Sequence, residues 1–395
     1  MGHRSGDFGW KRRVLATFAA LLAMGSGAFF GASGATADTS TQVIVTSSGS
    51  LSPVTAVLNA GGTVVQQYTI INGVEASVPN SEVPILAAMP GINVAPDVNV
   101  AVQSTVASTG PHTPSDAFIG QTGADQLAQA GDTGRGVTVA VIDTGIDNLP
   151  DFSGRLVGGV DLSGEQNAFQ DSYGHGTFVA GLIAGNGASS SSQYRGEAPG
   201  ANLVSIKVAG ANGSTKLGTL ISGLQWAVNN QSTYNIRIIN ISLGFQPDRS
   251  TVNTPLDMAV ERAWSSGLTI VTSAGNSGPF KGTILSPGDD PLVITVGALD
   301  DLAQGTVGND AMNDFSSAGP TSPDGWVKPD LVTSGRSLVS LAAPGSTIYN
   351  NYPSARIGSG NFVGSGTSFS AAITSGAAAL VLADQPADSP NQIKA

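Results

Sequence analysis

The 395-residue chain predicts an α/β fold: a doubly wound, mostly parallel sheet with helices on both faces, preceded by a small α+β domain. Three observations support this. Residues 137–142, 203–208, 236–243, 268–272 and 292–296 are short, apolar, β-branched runs with little alternation, as in strands buried on both faces. Between them lie helical patterns: Leu217, Leu220, Ile221, Leu224 and Val228 share one helical face, and residues 256–266 form a second helix candidate. Strands joined by crossover helices pair in parallel. The third observation is the element order before this region, which alternates differently and belongs to a separate unit.

In chain order, Lys11, Arg12 and Arg13 precede an apolar run over residues 14–30 and the small-residue stretch Ala35-Thr36-Ala37. Residues 1–37 therefore read as an export signal cleaved after Ala37. The alternative, a membrane anchor, is disfavoured because the run is glycine-interrupted and barely long enough to span. The arginine pair suits a twin-arginine signal as well as an ordinary one. Residues 38–103 form the small unit. Strands are expected at 43–46, 63–71 and 73–78 and over an extended 92–102, with helices at 53–59 and 81–89. The order βαββαβ suits a ferredoxin-like sheet covered by two helices. Residues 104–115, rich in Ser, Thr, Pro and Gly, have the composition of a linker open to proteolysis. Residues 116–395 carry the parallel sheet, whose chemistry is expected at the carboxyl ends of its strands.

Composition excludes several functions. The chain has 41% hydrophobic and 11% charged residues, which rules out a disordered protein. Its 17 Lys and Arg against 28 Asp and Glu give a net charge of −11, which argues against a nucleic-acid partner. Without cysteine there is no disulfide, thiol nucleophile or thiolate metal site. Of the three histidines, His3 lies in the signal and His112 in the linker, so His175 is the one imidazole in residues 116–395.

Four segments combine glycine-rich turns with reactive side chains. Asp143 follows the apolar run 137–142 in Asp143-Thr144-Gly145. His175 sits in Gly174-His175-Gly176-Thr177, where flanking glycines permit a turn into a helix. Ser368, in Gly366-Thr367-Ser368, opens a small-residue stretch over residues 371–382 that reads as a closely packed buried helix. There its own N–H and the positive helix end face a reacting oxygen. Asn276 follows the strand at 268–272, where a side-chain amide can donate to a developing oxyanion. Each alone reads more simply as a cap, a turn residue or a packed histidine. Together they supply every role that acyl transfer needs.

These segments resemble the motif blocks of the subtilisin-like serine peptidases, in the family's order Asp, His, Ser. The resemblance implies that Asp143 orients His175, that His175 takes the proton of Ser368, and that Asn276 stabilises the oxyanion. By the same resemblance, Ser242, Leu243 and Gly244 pair with substrate backbone, while Ser273, Ala274 and Gly275 form a wall of the pocket for the side chain before the cut. It implies a subtilisin-like fold and a secreted monomer that leaves the membrane once its signal is cleaved, with protein or peptide substrates. It makes residues 38–103 an intramolecular inhibitor, and self-cleavage is expected between about residues 102 and 115. No cofactor is required, and a structural calcium ion is allowed near Asp151 and the 185–197 loop. Two positions depart from the family pattern: Phe178, where a histidine is usual, and Ala372, where a proline is usual. The chain ends 27 residues after Ser368 in what reads as the opening of a helix, so a further C-terminal part is expected. The alternative function is a catalytically inactive binding protein with this fold, against which the intact set of four residues argues. A glutamate-dependent serine peptidase is excluded by Gly174-His175-Gly176. The G-x-S-x-G elbow of other hydrolases is excluded because residue 370 is Ser.

Overall fold

The computed structural model describes residues 39–102, 105–106, 114–247 and 254–395. The expected export signal, and most of the linker with His112, lie outside these residues. In the small unit, β1 (Ser40–Ser47), α1 (Pro53–Asn59), β2 (Thr63–Tyr68), β3 (Gly73–Pro79), α2 (Val83–Ala87) and β4 (Ile92–Pro96) follow in the expected order. The sheet order is β2-β3-β1-β4 with every pair antiparallel, which is ferredoxin-like. Alternate residues of β1 and β3, among them Val43, Val45, Val74 and Val78, meet Ala56 and Val57 of α1 in a core of its own. Pro53, at the first turn of α1, presets helical φ where no donor is needed.

Three elements of this unit differ from expectation, each for a local reason. The strand expected to reach residue 71 ends at Tyr68, because the N–H groups of Thr69 and Ile70 donate to the side-chain oxygen of Gln225 at 2.6 and 3.3 Å. The second helix shortens to Val83–Ala87. The extended segment 92–102 is two strands: after Pro96 the chain turns, the Asp97 carboxylate accepts from the Gly218 N–H at 2.9 Å, and β5 (Asn99–Val102) enters a different sheet. The residues from Thr39 onward pack as one unit.

The chain continues through β6 (Thr105–Val106), α3 (Phe118–Thr122), α4 (Ala124–Gln129), β7 (Thr138–Asp143), β8 (Leu156–Asp161), α5 (His175–Ala184), β9 (Asn202–Lys207), β10 (Ser214–Lys216), α6 (Leu217–Asn229), α7 (Gln231–Tyr234), β11 (Ile236–Ile241) and β12 (Leu243–Gly244). Next come α8 (Pro255–Ser265), β13 (Thr269–Ser273), β14 (Ile294–Asp300), β15 (Ala311–Met312), β16 (Leu331–Ser334), β17 (Leu338–Leu341), α9 (Thr347–Asn351), β18 (Arg356–Ile357), β19 (Asn361–Ser365), α10 (Thr367–Asp384) and α11 (Pro390–Lys394). The main sheet has eight strands in the order β15-β14-β13-β11-β7-β9-β8, with β16 also on β14. All its pairs are parallel except β14 with β15. Helices α5 and α10 pack together against the sheet, and α6 with α8 forms a second such pair. Strands β7 and β13 are wholly buried. Each buried Val or Ile in them contributes about 1.5–3 kcal/mol of transfer free energy, which fixes the sheet centre firmly.

The register positions the site. Ile241 of β11 lies beside Ile142 of β7 and Thr272 of β13. The next residue on each strand line is Asp143, Ser242 and Ser273, so three of the expected site residues form one row at the carboxyl edge of the sheet centre.

Candidate active site

The local structure around His175 is built by hydrogen bonds to its turn. Gly174 has φ 105°, a left-handed conformation that glycine adopts without strain, and caps the start of α5. Buried Asp171 accepts from the Gly174 N–H at 2.7 Å, the Thr177 N–H at 2.8 Å and the Thr144 hydroxyl at 2.8 Å. The Thr144 hydroxyl also accepts from the Gly176 N–H at 2.9 Å. Burial pushes the Asp171 carboxyl above its ordinary range, although those donors hold it back. Gly176 allows the closest approach: a Cβ there would lie 2.2 Å from the Gly145 carbonyl oxygen. The aspartate and histidine blocks, 32 residues apart, are thereby locked together. His175 Nδ1 lies 2.7 Å from Asp143 Oδ1, with both residues buried.

Ser368 stands in the first turn of α10, where backbone N–H groups lack intrahelical partners. The helix is anchored by a buried chain of polar contacts. The Ser375 hydroxyl donates to Asn240 Oδ1 at 3.0 Å, Asn240 Nδ2 donates to the Ser242 hydroxyl at 3.0 Å, and that hydroxyl donates to the Ser368 carbonyl at 3.2 Å. The Ser368 hydroxyl donates to the Ser242 carbonyl at 3.3 Å. His175 Nε2 is buried and has no hydrogen-bond partner among the described residues. No hydrogen bond joins the imidazole to the Ser368 hydroxyl. Phe369, the next residue, brings its ring centroid to 5.7 Å from the His175 ring.

Asn276 has an asymmetric environment. Its Oδ1 accepts from the Thr367 N–H at 3.0 Å and the Thr367 hydroxyl at 3.1 Å. Its Nδ2 is buried and unpartnered among the described residues, a donor held in position for an acceptor. Thr367 also bonds the Gly275 N–H at 3.1 Å, tying the 273–276 segment to the start of α10.

Leu243 and Gly244 of β12 pair antiparallel with Val102 and Ala101 of β5. On its other edge β5 pairs with β10, Ala101 opposite Ser214 and Val100 opposite Thr215. The edge expected to bind substrate backbone thus holds a strand from the chain's own N-terminal unit. A few residues later β6 pairs with β19, Thr105 opposite Ser365 and Val106 opposite Gly364, only three residues before Ser368. β13 ends at Ser273, and beyond it the Ala274 N–H donates to the Val296 carbonyl at 2.9 Å.

Sequence reasoning missed β10, the roles of Asp171 and Thr144, and Thr367 as the partner of Asn276. Asp171 was visible as an acidic residue four positions before His175, the spacing of a turn that caps a helix. Of the two departures, Phe178 packs against Phe369 with tilted rings whose centroids are 4.3 Å apart, and Ala372 is wholly buried within α10. In the region where a calcium ion was allowed, Asp151 Oδ1 is buried and has no hydrogen-bond partner among the described residues. One oxygen of buried Asp151 accepts from the Ser189 N–H and hydroxyl, and Arg155 donates to the Asp151 carbonyl. Among the described residues no three His, Cys, Asp or Glu side chains converge on a point where a metal could sit.

A parallel sheet that presents a buried aspartate–histidine pair, a serine at a helix start and an orphaned amide donor at its carboxyl edge has the arrangement by which the serine peptidase class is recognised. The subtilase family model matches residues 134–395. The serine protease AprX of Bacillus subtilis (strain 168) is 45% identical over 267 residues, 66% of this chain and 60% of AprX, so the chain spans about three fifths of that relative. Subtilisin E of the same organism is 32% identical over 338 residues, 85% of this chain and 76% of its own length. A crystal structure of a cold-adapted subtilisin-like serine proteinase superimposes with a TM-score of 0.51 at 32% identity, covering 66% of this chain and 81% of that one. The chain belongs to the subtilase family of serine endopeptidases.

Proposed function

We propose that the protein is a secreted endopeptidase, made as a precursor, that cleaves proteins and peptides through Ser368, His175 and Asp143. Asp143 fixes the tautomer of His175 and stabilises its cation. His175 accepts the Ser368 proton as the hydroxyl oxygen attacks the scissile carbonyl, then returns it to the leaving amine. The acyl-enzyme is hydrolysed by water along the same proton path. The oxyanion is met by Asn276 Nδ2 and the Ser368 N–H. Ser242, Leu243 and Gly244 hold substrate backbone as an added strand, a mode that tolerates many sequences. Ser273, Ala274 and Gly275 line the pocket for the side chain before the cut. The signal-like composition of residues 1–37 supports export, and the chemistry requires no cofactor. The enzyme acts as a monomer, since one chain supplies the whole set.

The observation that carries this reading is β5. It lies as the middle strand between β10 and β12, in the manner of a bound peptide, and β6 resumes pairing on the far side of Ser368. Only residues 103 and 104 separate the two strands, so self-processing is expected there, with residues 38–103 leaving as the inhibitor. Purified protein should begin at or next to residue 104 on N-terminal sequencing, label with a fluorophosphonate and digest casein, while Ser368→Ala stays full length and does neither. Mature, active protein beginning at Asp38, or equal labelling of the two proteins, overturns the reading.

A further inference from the structure

The turn that carries His175 and the loop that leads into β10 touch at three places. Tyr173 lays its ring against Gly213, where a Cβ would lie 2.5 Å from the ring carbon Cζ, and the Gly213 carbonyl accepts from the Val102 N–H of β5 at 3.1 Å. Thr347, the first residue of α9, donates its N–H to the Ser172 carbonyl at 2.9 Å and its hydroxyl to the Ala211 carbonyl at 2.8 Å. The third contact is Glu165, on the loop after β8, whose two oxygens divide between the segments. Oε1 accepts from the Ala211 N–H at 2.9 Å; Oε2 accepts from the Ser172 hydroxyl at 2.5 Å and the Lys207 ammonium at 2.7 Å.

Lys207 explains why a carboxylate stands there. Its side chain is wholly buried at the end of β9, in register beside Asp143, and its ammonium also donates to the carbonyl of Gln170, the residue before Asp171, at 2.6 Å. A buried ammonium requires an opposite charge, and Glu165 supplies it. Partial burial pushes the Glu165 carboxyl up, but hydrogen bonds from Lys207, Ser172 and Ala211 more than offset this and hold it below its ordinary range. Gly210 leaves the carboxylate room, since a Cβ there would lie 2.6 Å from Oε1.

Resting on the peptidase reading, and on β5 marking the path of substrate, we infer that Glu165 is a positioning residue for the reaction: it fixes the histidine turn and the substrate-pairing edge in one arrangement. A peptide seated on β10 then finds the imidazole already in place. The two oxygens carry separate effects. Loss of the Oε2 contacts loosens the turn three residues before His175 and lowers kcat on any substrate. Loss of the Oε1 contact loosens the edge and raises KM only for peptides long enough to pair with β10.

The test compares Glu165→Ala and Ser172→Ala with the parent on a peptide anilide with four residues before the cut and on a single-residue ester, with kcat counted per fluorophosphonate-labelled site. Glu165→Ala should lower kcat on both by roughly 10–100-fold, the cost of a small misplacement. It should raise KM about 3–10-fold for the peptide alone, the worth of one hydrogen bond. Ser172→Ala, which leaves Glu165 paired with Lys207, should lower kcat and leave both KM values unchanged; it reads the same link if Glu165→Ala yields too few labelled sites. Parent-like kcat in both variants, or a KM change shared by the two substrates, overturns the role of Glu165 and leaves the peptidase reading intact. Parent protein that neither labels nor digests casein overturns both.

Discussion

Asn276 offers the sharpest test of the site because its two side-chain ends have separate tasks. Oδ1 holds the start of α10 by accepting from the Thr367 N–H and hydroxyl, whereas Nδ2 has no partner among the described residues. Asn276→Asp keeps the acceptor and removes the donor. The loss of one oxyanion donor costs about 2.7–4 kcal/mol in the transition state, so kcat should fall by roughly 10²–10³ with KM nearly unchanged. Asn276→Ala removes both ends. It should lose similar turnover and also two hydrogen bonds at about 0.5–1.5 kcal/mol each, seen as a lower Tm. Steady-state kinetics on one peptide anilide, with calorimetry of both variants, separates the two tasks. Asn276→Asp with turnover within tenfold of the parent, or with a Tm loss equal to that of Asn276→Ala, would refute the division of labour.

Three further outcomes follow from the same geometry. Asp143→Asn should leave the fold and the contacts of Thr144 largely intact but lower kcat about 10⁴-fold, through the wrong imidazole tautomer; a pH–rate profile and kcat check it. Gly176→Ala should destabilise the precursor by about 1–3 kcal/mol or more, because its methyl group would meet the Gly145 carbonyl, and chemical denaturation measures this. Glu197 is buried, with Oε2 unpartnered among the described residues, and burial raises its carboxyl from 4.5 to about 8. A raised carboxyl stabilises the fold fully below pH 4.5, and that contribution is lost as pH climbs through about 8. Glu197→Gln should therefore flatten the fall in Tm between pH 5 and 8 relative to the parent; parallel Tm curves would contradict the assignment.

The sequence revealed the sheet centre because residues there answer to one requirement. The strands at 137–142, 236–241 and 268–272 are almost wholly buried, so Val and Ile dominate them, and the row Asp143, Ser242 and Ser273 follows at their ends. The reactive residues stood out for the complementary reason, since glycines flank each of them where backbones crowd. What escaped was anything set by a distant partner. Strand β8, absent from the expected strands, contains Gly158 and Gly159; a Cβ on Gly158 would meet the Tyr234 ring at 2.4 Å, so that glycine answers to a residue some 75 positions on. β10 is three polar or charged residues whose strand character comes from pairing with β5. The break within 92–102 depends on Asp97 finding the Gly218 N–H, a contact across 121 residues. The orphaned amide of Asn276 likewise needs Thr367, far along the chain, to hold its other end.

Strand β5 is covalently joined to the edge it pairs with, and on the precursor reading proposed above this gives the uncut chain a kinetic character that a free inhibitor would lack. A tethered segment faces its own site at an effective concentration of the order of millimolar, whatever the amount of protein in solution. Before the chain is cut, external peptides compete against that fixed concentration and dilution cannot help them. On the same reading, a cut after β5 would make that strand an ordinary ligand whose occupancy follows mass action. The onset of activity is therefore expected to depend on dilution only after processing: cut but concentrated enzyme stays silent, and the same sample spread into a larger volume becomes active.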